Sequence, residues 1–232
     1  MTKFDKETCI CKSLCEKYDT EECSALCEGY WYTNFVSEHS NIPPKFREYT
    51  PLDVPTKDRI PFKTLSAIQN DIYRFVYEGR NLYIHSYNTG NGKTTWATNL
   101  MLAYFTDIKD WCGKTIRGVF VHVPMFLMQC KNTMSAPDPN FEQFKESIRI
   151  ADVVIWDDIA TNKLSTYDVG VLYAYIQERL LSGKTNIYTG TADKKQMEYM
   201  LDSNLTSRIW GNLFAVTFNA EAYKSNDFFT NT

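Results

Sequence analysis

Long apolar runs are absent from this chain. Nowhere in its 232 residues is there a stretch close to the ~20 consecutive apolar residues of a membrane-spanning helix. The opening residues, MTKFDKETC, contain no apolar core of the kind a secretory signal requires. Together these absences predict a cytoplasmic protein. Net positive charge is also missing: the formal charge is −3, so no global basic field attracts nucleic acid, and any such contact must be confined to a few positions. Cysteine is scarce after residue 27, where only Cys112 and Cys130 remain, both among apolar neighbours and readable as core residues. The length suffices for one full α/β domain with a small appendage.

What is present is organised around a glycine-containing loop. Leu82 to His85 reads as a buried strand, and TTWATNLMLAYF from Thr94 to Phe105 has helical apolar spacing. Between them lie Tyr87, Asn88, Thr89, Gly90, Asn91, Gly92, Lys93, Thr94 and Thr95. Small residues entering a helix let backbone N–H groups converge on a triphosphate. Lys93 is then placed for the β- and γ-phosphates of ATP, and the Thr94 hydroxyl for Mg²⁺. The pattern G-x-x-x-x-G-K-[ST] is met at Gly92, Lys93 and Thr94, but Tyr87 stands where its first glycine belongs. Either the loop opens differently here or Tyr87 lies over the nucleotide.

Some sixty residues later comes ADVVIWDDIA, Ala151 to Ala160. Four apolar residues ending in two acids predict a buried parallel strand whose carboxyl end faces the ligand crevice. Asp157 is the candidate for Mg²⁺, directly or through water, and Asp158 for the general base that polarises the attacking water. A further strand, TNIYTGT from Thr185 to Thr191, ends in hydroxyl residues. Thr191 or Thr189 is the candidate for touching the γ-phosphate or positioning water.

The N-terminus carries a different chemistry. Cys9, Cys11, Cys15, Cys23 and Cys27 crowd the first 27 residues, and Cys11/Cys15 and Cys23/Cys27 each place two thiols on one helical turn. In a reducing compartment this favours a thiolate metal site over disulfides or unligated thiols. Four thiolates suit tetrahedral Zn²⁺, with Cys9 or His39 able to replace one of the four. Residues 1–40 are therefore expected to form a Cys-rich zinc module. Its aromatics Tyr30, Trp31, Tyr32 and Phe35 would meet a partner or pack internally.

Pro43, Pro44, Pro51, Pro55 and Pro61 make residues 41–63 an extended connector laid along the next domain, which spans 64–232. A helix is expected from Thr64 to about Tyr77, stopped by Gly79. RGVFVHV (Arg117 to Val123) reads as a strand in which His122 is a packed residue. Helices follow from Pro124 to about Lys131 and from Asn140 to Ile150. The helix Leu164 to Leu181 turns Val169, Leu172, Ile176 and Leu180 inward. Two short helices carry Arg208, LFAVTF (Leu213 to Phe218) is the last strand, and Asn219 to Lys224 opens a final helix. The fold class is α/β, a five-stranded, mainly parallel sheet between helices.

The order of NIPPKF at 41–46, GNGKTT at 90–95, VVIWDDIA at 153–160, LTSRIWG at 205–211 and VTFNAEAYK at 216–224 resembles the AAA+ replicative helicase loaders of the DnaC/DnaI type, with phage-encoded versions nearest. The resemblance covers residues 41 to 224. It implies that Arg208 is an arginine finger acting on a neighbouring subunit's nucleotide, and so that the chain self-associates. It sets Lys224 where the family often has a sensor arginine and Thr191 where an asparagine is common. The N-terminal module resembles the zinc-bearing, helicase-contacting domain of DnaI-like loaders, with its own cysteine spacing. The implied partners are a hexameric replicative helicase and single-stranded DNA in a bacterial host's cytoplasm. Phe126 to Lys131 is the candidate DNA-contacting segment. Alternatives are a transposition-accessory ATPase of the IstB type, a DnaA-like initiator, which would need a further duplex-reading domain, and a non-catalytic adaptor stabilised by nucleotide.

Overall fold

A computed structural model of the chain describes residues 6–8, 16–24, 27, 36, 39–108 and 116–220. Two helices lead in, α1 (Arg59–Asn70) and α2 (Ile72–Tyr77), followed by β1 (Asn81–His85) and α3 (Lys93–Asp107). Next come β2 (Gly118–His122), α4 (Val123–Asn132), α5 (Pro139–Ile150), β3 (Val153–Asp157) and α6 (Thr166–Leu181). The described chain closes with β4 (Thr185–Gly190), α7 (Lys194–Met200), α8 (Ser203–Trp210) and β5 (Leu213–Thr217). The strands form one sheet in the order β2-β3-β4-β1-β5, and all four pairings are parallel. No helix among the described residues is long and apolar enough to cross a membrane.

Every residue of β1, β3 and β4 is buried, as expected of strands covered on both faces. Their alternation sorts two cores. Leu82, Ile84, Ile155 and Ile187 face α1, α2 and α3 with Phe62, Ile72, Leu100 and Phe105. Tyr83, Val154, Trp156 and Tyr188 face the opposite helices with Phe126, Leu172, Ile176 and Leu205. Trp156 is fully buried, and its indole N–H donates to Asn186 Oδ1 at 3.0 Å.

The structure departs from the expected helix at residues 64–77. The segment is two helices, beginning at Arg59 and broken at Asp71 (φ −132°, ψ 38°). Pro61 is tolerated in the first turn, where the missing N–H has no intrahelical partner. The last five residues of the expected connector, 59–63, belong to α1, and the residues before them hydrogen-bond to the sheet and to α3. Phe120 N donates to Ser40 O (2.7 Å) and Asn41 Nδ2 to Phe120 O (3.0 Å), covering the outer edge of β2. Thr50 and Asn99 exchange two hydrogen bonds, and the fully buried Asp58 carboxylate accepts from Asn219 N (2.6 Å) and Ala220 N (3.0 Å). Asn219 and Ala220 are not helical, and the rest of the expected last helix, with Lys224, lies outside the described residues.

Arg179 was not among the inward residues expected of α6, yet it is 1% exposed. Its guanidinium donates to Asn186 Oδ1 (2.9 Å) and to the carbonyls of Ile148 (2.7 Å), Ala151 (2.8 Å) and Thr185 (2.6 Å). Burial pulls its pKa down to about 10. It pins the amino ends of β3 and β4 to α5 and α6. Leu180, expected inward, is only partly buried.

Candidate functional site

The carboxyl ends of the parallel strands β1, β2, β3 and β4 lie along one edge of the sheet, where a ligand crevice is expected, and the loop from Ser86 to Gly92 leaves β1 there. Gly90 (φ +72°) and Gly92 (φ +84°) occupy the left-handed region, which side chains with a Cβ rarely adopt. Gly92 is the N-cap of α3 and no side chain caps that end, so the N–H groups of the first turn, Thr94 and Thr95 included, are available to an anion. Tyr87, Asn88, Thr89 and Gly90 form the exposed crest, while Asn91 is buried and its amide nitrogen donates to Ser86 Oγ.

Lys93 is 8% exposed, and its Nζ donates to Asn88 O (2.7 Å) and Asn91 Oδ1 (3.1 Å). Burial lowers its pKa below the ordinary lysine value, against the opposing pull of Asp158 and Asp157. The ammonium is thus held inside the loop by neutral acceptors that phosphate oxygens can replace.

Tyr87 takes the first-glycine position without a positive φ, so a side chain fits. Its ring is 61% exposed and stands edge-on to His85, centroids 4.7 Å apart. Its hydroxyl donates to Asp193 Oδ2 at 3.0 Å. The ring thus leans toward the loop between β4 and α7.

The two halves of the site meet at Asp157. Its Oδ1 accepts from Thr94 Oγ1 (2.8 Å) and Thr189 Oγ1 (2.7 Å). The residue is 5% exposed, and burial raises its pKa, opposed by those two hydroxyls and reinforced by the Asp158 charge. A hydroxyl and a carboxylate from the two motifs at this distance are a donor set that fits Mg²⁺. Asp158, at φ +58°, donates its backbone N–H to Thr189 Oγ1 (3.1 Å) and keeps its carboxylate half-exposed.

Thr189 therefore joins both aspartates. The Thr191 hydroxyl has no hydrogen-bond partner among the described residues, and its carbonyl lies 3.1 Å from His85 Nε2. His122, expected to be a packed strand residue, pairs in register with Asp157 and lies 3.6 Å from Asp158 Oδ2. Its signal in the sequence was a polar residue ending the apolar run GVFVH, as Asp157 ends VVIWD.

Arg208 is exposed on α8, without an ion pair among the described residues. It lines a groove with Gly79, Asn81, Gly183 and Asn212, at the amino ends of β1, β4 and β5. Arg208 also lines a second groove with Leu164, Thr166 and Asn204, beside the first turn of α6. From Phe126 to Lys131, Phe126, Leu127 and Cys130 are buried, and Lys131 is paired with Asp168 at 2.7 Å. Of the zinc candidates, Cys9, Cys11 and Cys15 lie outside the described residues, as do Tyr30, Trp31, Tyr32, Phe35 and Cys112. Cys23 and Cys27 are half-buried free thiols, and His39 is half-buried. Among the described residues, the group of side chains close enough to share a metal ion is His122, Asp157 and Asp158.

No family model and no curated protein matches this chain. Solved structures do. It is similar to the DnaC helicase loader, with TM-score 0.60 and 19% identity over 74% of this chain and 94% of that one. Similarity to DnaI has TM-score 0.62 and 17% identity, covering 82% and 98%. A replication initiator DnaA bound to AMPPCP and single-stranded DNA gives TM-score 0.57 and 14% identity over 79% of this chain and 53%, about half, of that one. DnaC, DnaI and DnaA structures are thus among the structural neighbours, and the likeness they share with this chain is one of fold.

Proposed function

We propose that the chain is an ATP-hydrolysing switch that loads a replicative helicase onto single-stranded DNA. The observation that carries the ATPase reading is the meeting of Thr94 from the phosphate loop with Asp157 from the acidic strand, beside the enclosed Lys93. The loading role is supported by the AAA+ fold held in common with a helicase loader and with an initiator that binds AMPPCP and single-stranded DNA.

In this reading the loop N–H groups and Lys93 bind the β- and γ-phosphates, Lys93 exchanging Asn88 O and Asn91 Oδ1 for phosphate oxygens. Thr94 and Asp157 would hold Mg²⁺, which would neutralise charge on the transferring phosphoryl group. Thr189 fixes Asp157 and the Asp158 backbone. Asp158 orients a water and takes its proton as the water oxygen bonds to the γ-phosphorus. The bond from that phosphorus to the bridging oxygen breaks, and ADP leaves. The free Thr191 hydroxyl at the end of β4 is suited to the γ-phosphate or the water. Arg208 serves a neighbouring subunit's crevice, supplying positive charge where the transition state gathers negative. Lys224 would approach the nucleotide as a sensor.

ATP binding would favour the assembled form that holds helicase and DNA, and hydrolysis the released form. Residues 1–40 would contact the helicase as a zinc module held by Cys11, Cys15, Cys23 and Cys27, which metal analysis would read as about one zinc per chain. The test is complex formation with the host's replicative helicase, followed by size-exclusion chromatography with light scattering, with and without ATP. The expected result is a nucleotide-sensitive complex that is lost when residues 1–40 are removed. No complex under any nucleotide condition would overturn the loading role.

A further inference from the structure

We infer that His122, Asp157 and Asp158 form a binding site for a first-row transition-metal dication, with the imidazole as a direct ligand. The inference concerns the nucleotide-free crevice, where Asp158 has no attacking water to serve, and rests on the reading of that crevice as the ATP site. One donor atom from each residue lies within 4.8 Å of the other two. Donors sharing one ion stand about 3–4 Å apart, so side-chain rotations alone close the set. The register that pairs His122 with Asp157 is fixed by parallel strands β2 and β3, so two of the three ligands are built on the sheet and Asp158 is the first residue of the turn after it.

The imidazole is not otherwise employed. Its Nδ1 is buried without a hydrogen-bond partner, and its Nε2 is 3.6 Å from the Asp158 carboxylate, too far for a hydrogen bond. A histidine kept for packing normally satisfies both ring nitrogens. The Asp157 carboxylate has its Oδ1 occupied by Thr94 and Thr189, leaving Oδ2 for a ligand. Two adjacent carboxylates, one of them buried, are an electrostatic cost that a dication relieves.

The donor set selects the metal. Hard Mg²⁺ favours oxygen ligands and retains its waters, whereas imidazole suits Zn²⁺, Cu²⁺, Fe²⁺ and Ni²⁺, and Mn²⁺, which favours the two carboxylates, is the weakest of the first-row dications here. Mn²⁺ is the useful probe because thiolates prefer softer metals, so the N-terminal cysteines do not compete for it.

The experiment titrates the full chain, without nucleotide, with Mn²⁺ followed by electron paramagnetic resonance, and competes with Mg²⁺. Expected is one Mn²⁺ site at least about tenfold tighter than for Mg²⁺, with ¹⁴N coupling from one imidazole. The chain has three histidines, so assignment is direct. His122→Ala should weaken Mn²⁺ about tenfold or more and remove the ¹⁴N signal, while His39→Ala keeps both. If His122→Ala unfolds by circular dichroism, His122→Asn serves in its place. A bound Mn²⁺ without ¹⁴N coupling, unchanged affinity in the His122 variant, or no Mn²⁺ binding would each overturn the site. Binding of a fluorescent ATP analogue with Mg²⁺ is read separately. Its failure in the wild type would overturn the ATP-site reading and leave the manganese result standing.

Discussion

Thr189→Val is the most informative single substitution. It replaces a hydroxyl by a methyl of similar size, so little cavity forms, but it removes two hydrogen bonds around the aspartate pair. The first, Thr189 Oγ1 to Asp157 Oδ1 at 2.7 Å, goes to a buried carboxylate and contributes about 1.5–3 kcal/mol. The second, from Asp158 N at 3.1 Å, leaves a backbone donor unpaired at about 1 kcal/mol. Thr94 still serves the same carboxylate oxygen, so the net loss should be about 2–3 kcal/mol, or a Tm fall of roughly 4–12 °C for a chain of this length. The pH dependence has a definite sign. Burial raises the folded-state pKa of Asp157 above its unfolded value, so the stability associated with its protonated form is complete below the unfolded pKa and is lost as pH rises through the folded one. Removing a donor to the carboxylate raises that pKa further, so the variant should lose more stability at pH 7.5 than at pH 5. Urea unfolding of both proteins at the two pH values reads this directly. A loss under about 0.5 kcal/mol, or one equal at both pH values, would refute the account of how Asp157 is held.

Other expectations follow from single observations. Ala160 sits at φ +58°, so Ala160→Gly should stabilise the fold by about 0.5–1 kcal/mol in the same assay, and a loss would contradict the strain. Arg179→Met orphans the carbonyls of Ile148, Ala151 and Thr185 and should cost about 2–4 kcal/mol, even after the charge's desolvation is relieved. Asp158→Asn should lower ATP turnover about 10²–10⁴-fold with nucleotide affinity retained, and an unchanged rate would remove its role as base.

Much of the architecture is legible where local spacing encodes local geometry. GNGKTT and VVIWDD each specify a strand end and the turn that follows, and both stand where they were expected. The helix break at Asp71 was hidden because no proline or glycine marks it and the apolar spacing runs through it. The approach of His122 to Asp157 and Asp158 was not legible because only the β2–β3 register, a tertiary fact, sets it there. Thr189 and Thr191 have the same strand parity, so alternation could not separate them, and it is the end of β4 at Gly190 that does. Arg179 looked like an ordinary polar helix residue, since nothing nearby in sequence announces the carbonyls that satisfy it.

The claim that the crevice is an ATP site completed by a neighbouring subunit is tested most directly by mixing two inactive variants in the presence of the helicase. Lys93→Ala lacks a competent phosphate loop but retains its arginine, and Arg208→Ala the reverse. Each alone should hydrolyse ATP poorly, while the mixture should regain a measurable part of the wild-type rate, because Arg208 of one chain serves the intact loop of the other. A mixture no faster than the two variants measured separately, or an Arg208→Ala protein as active as the wild type, would contradict the account.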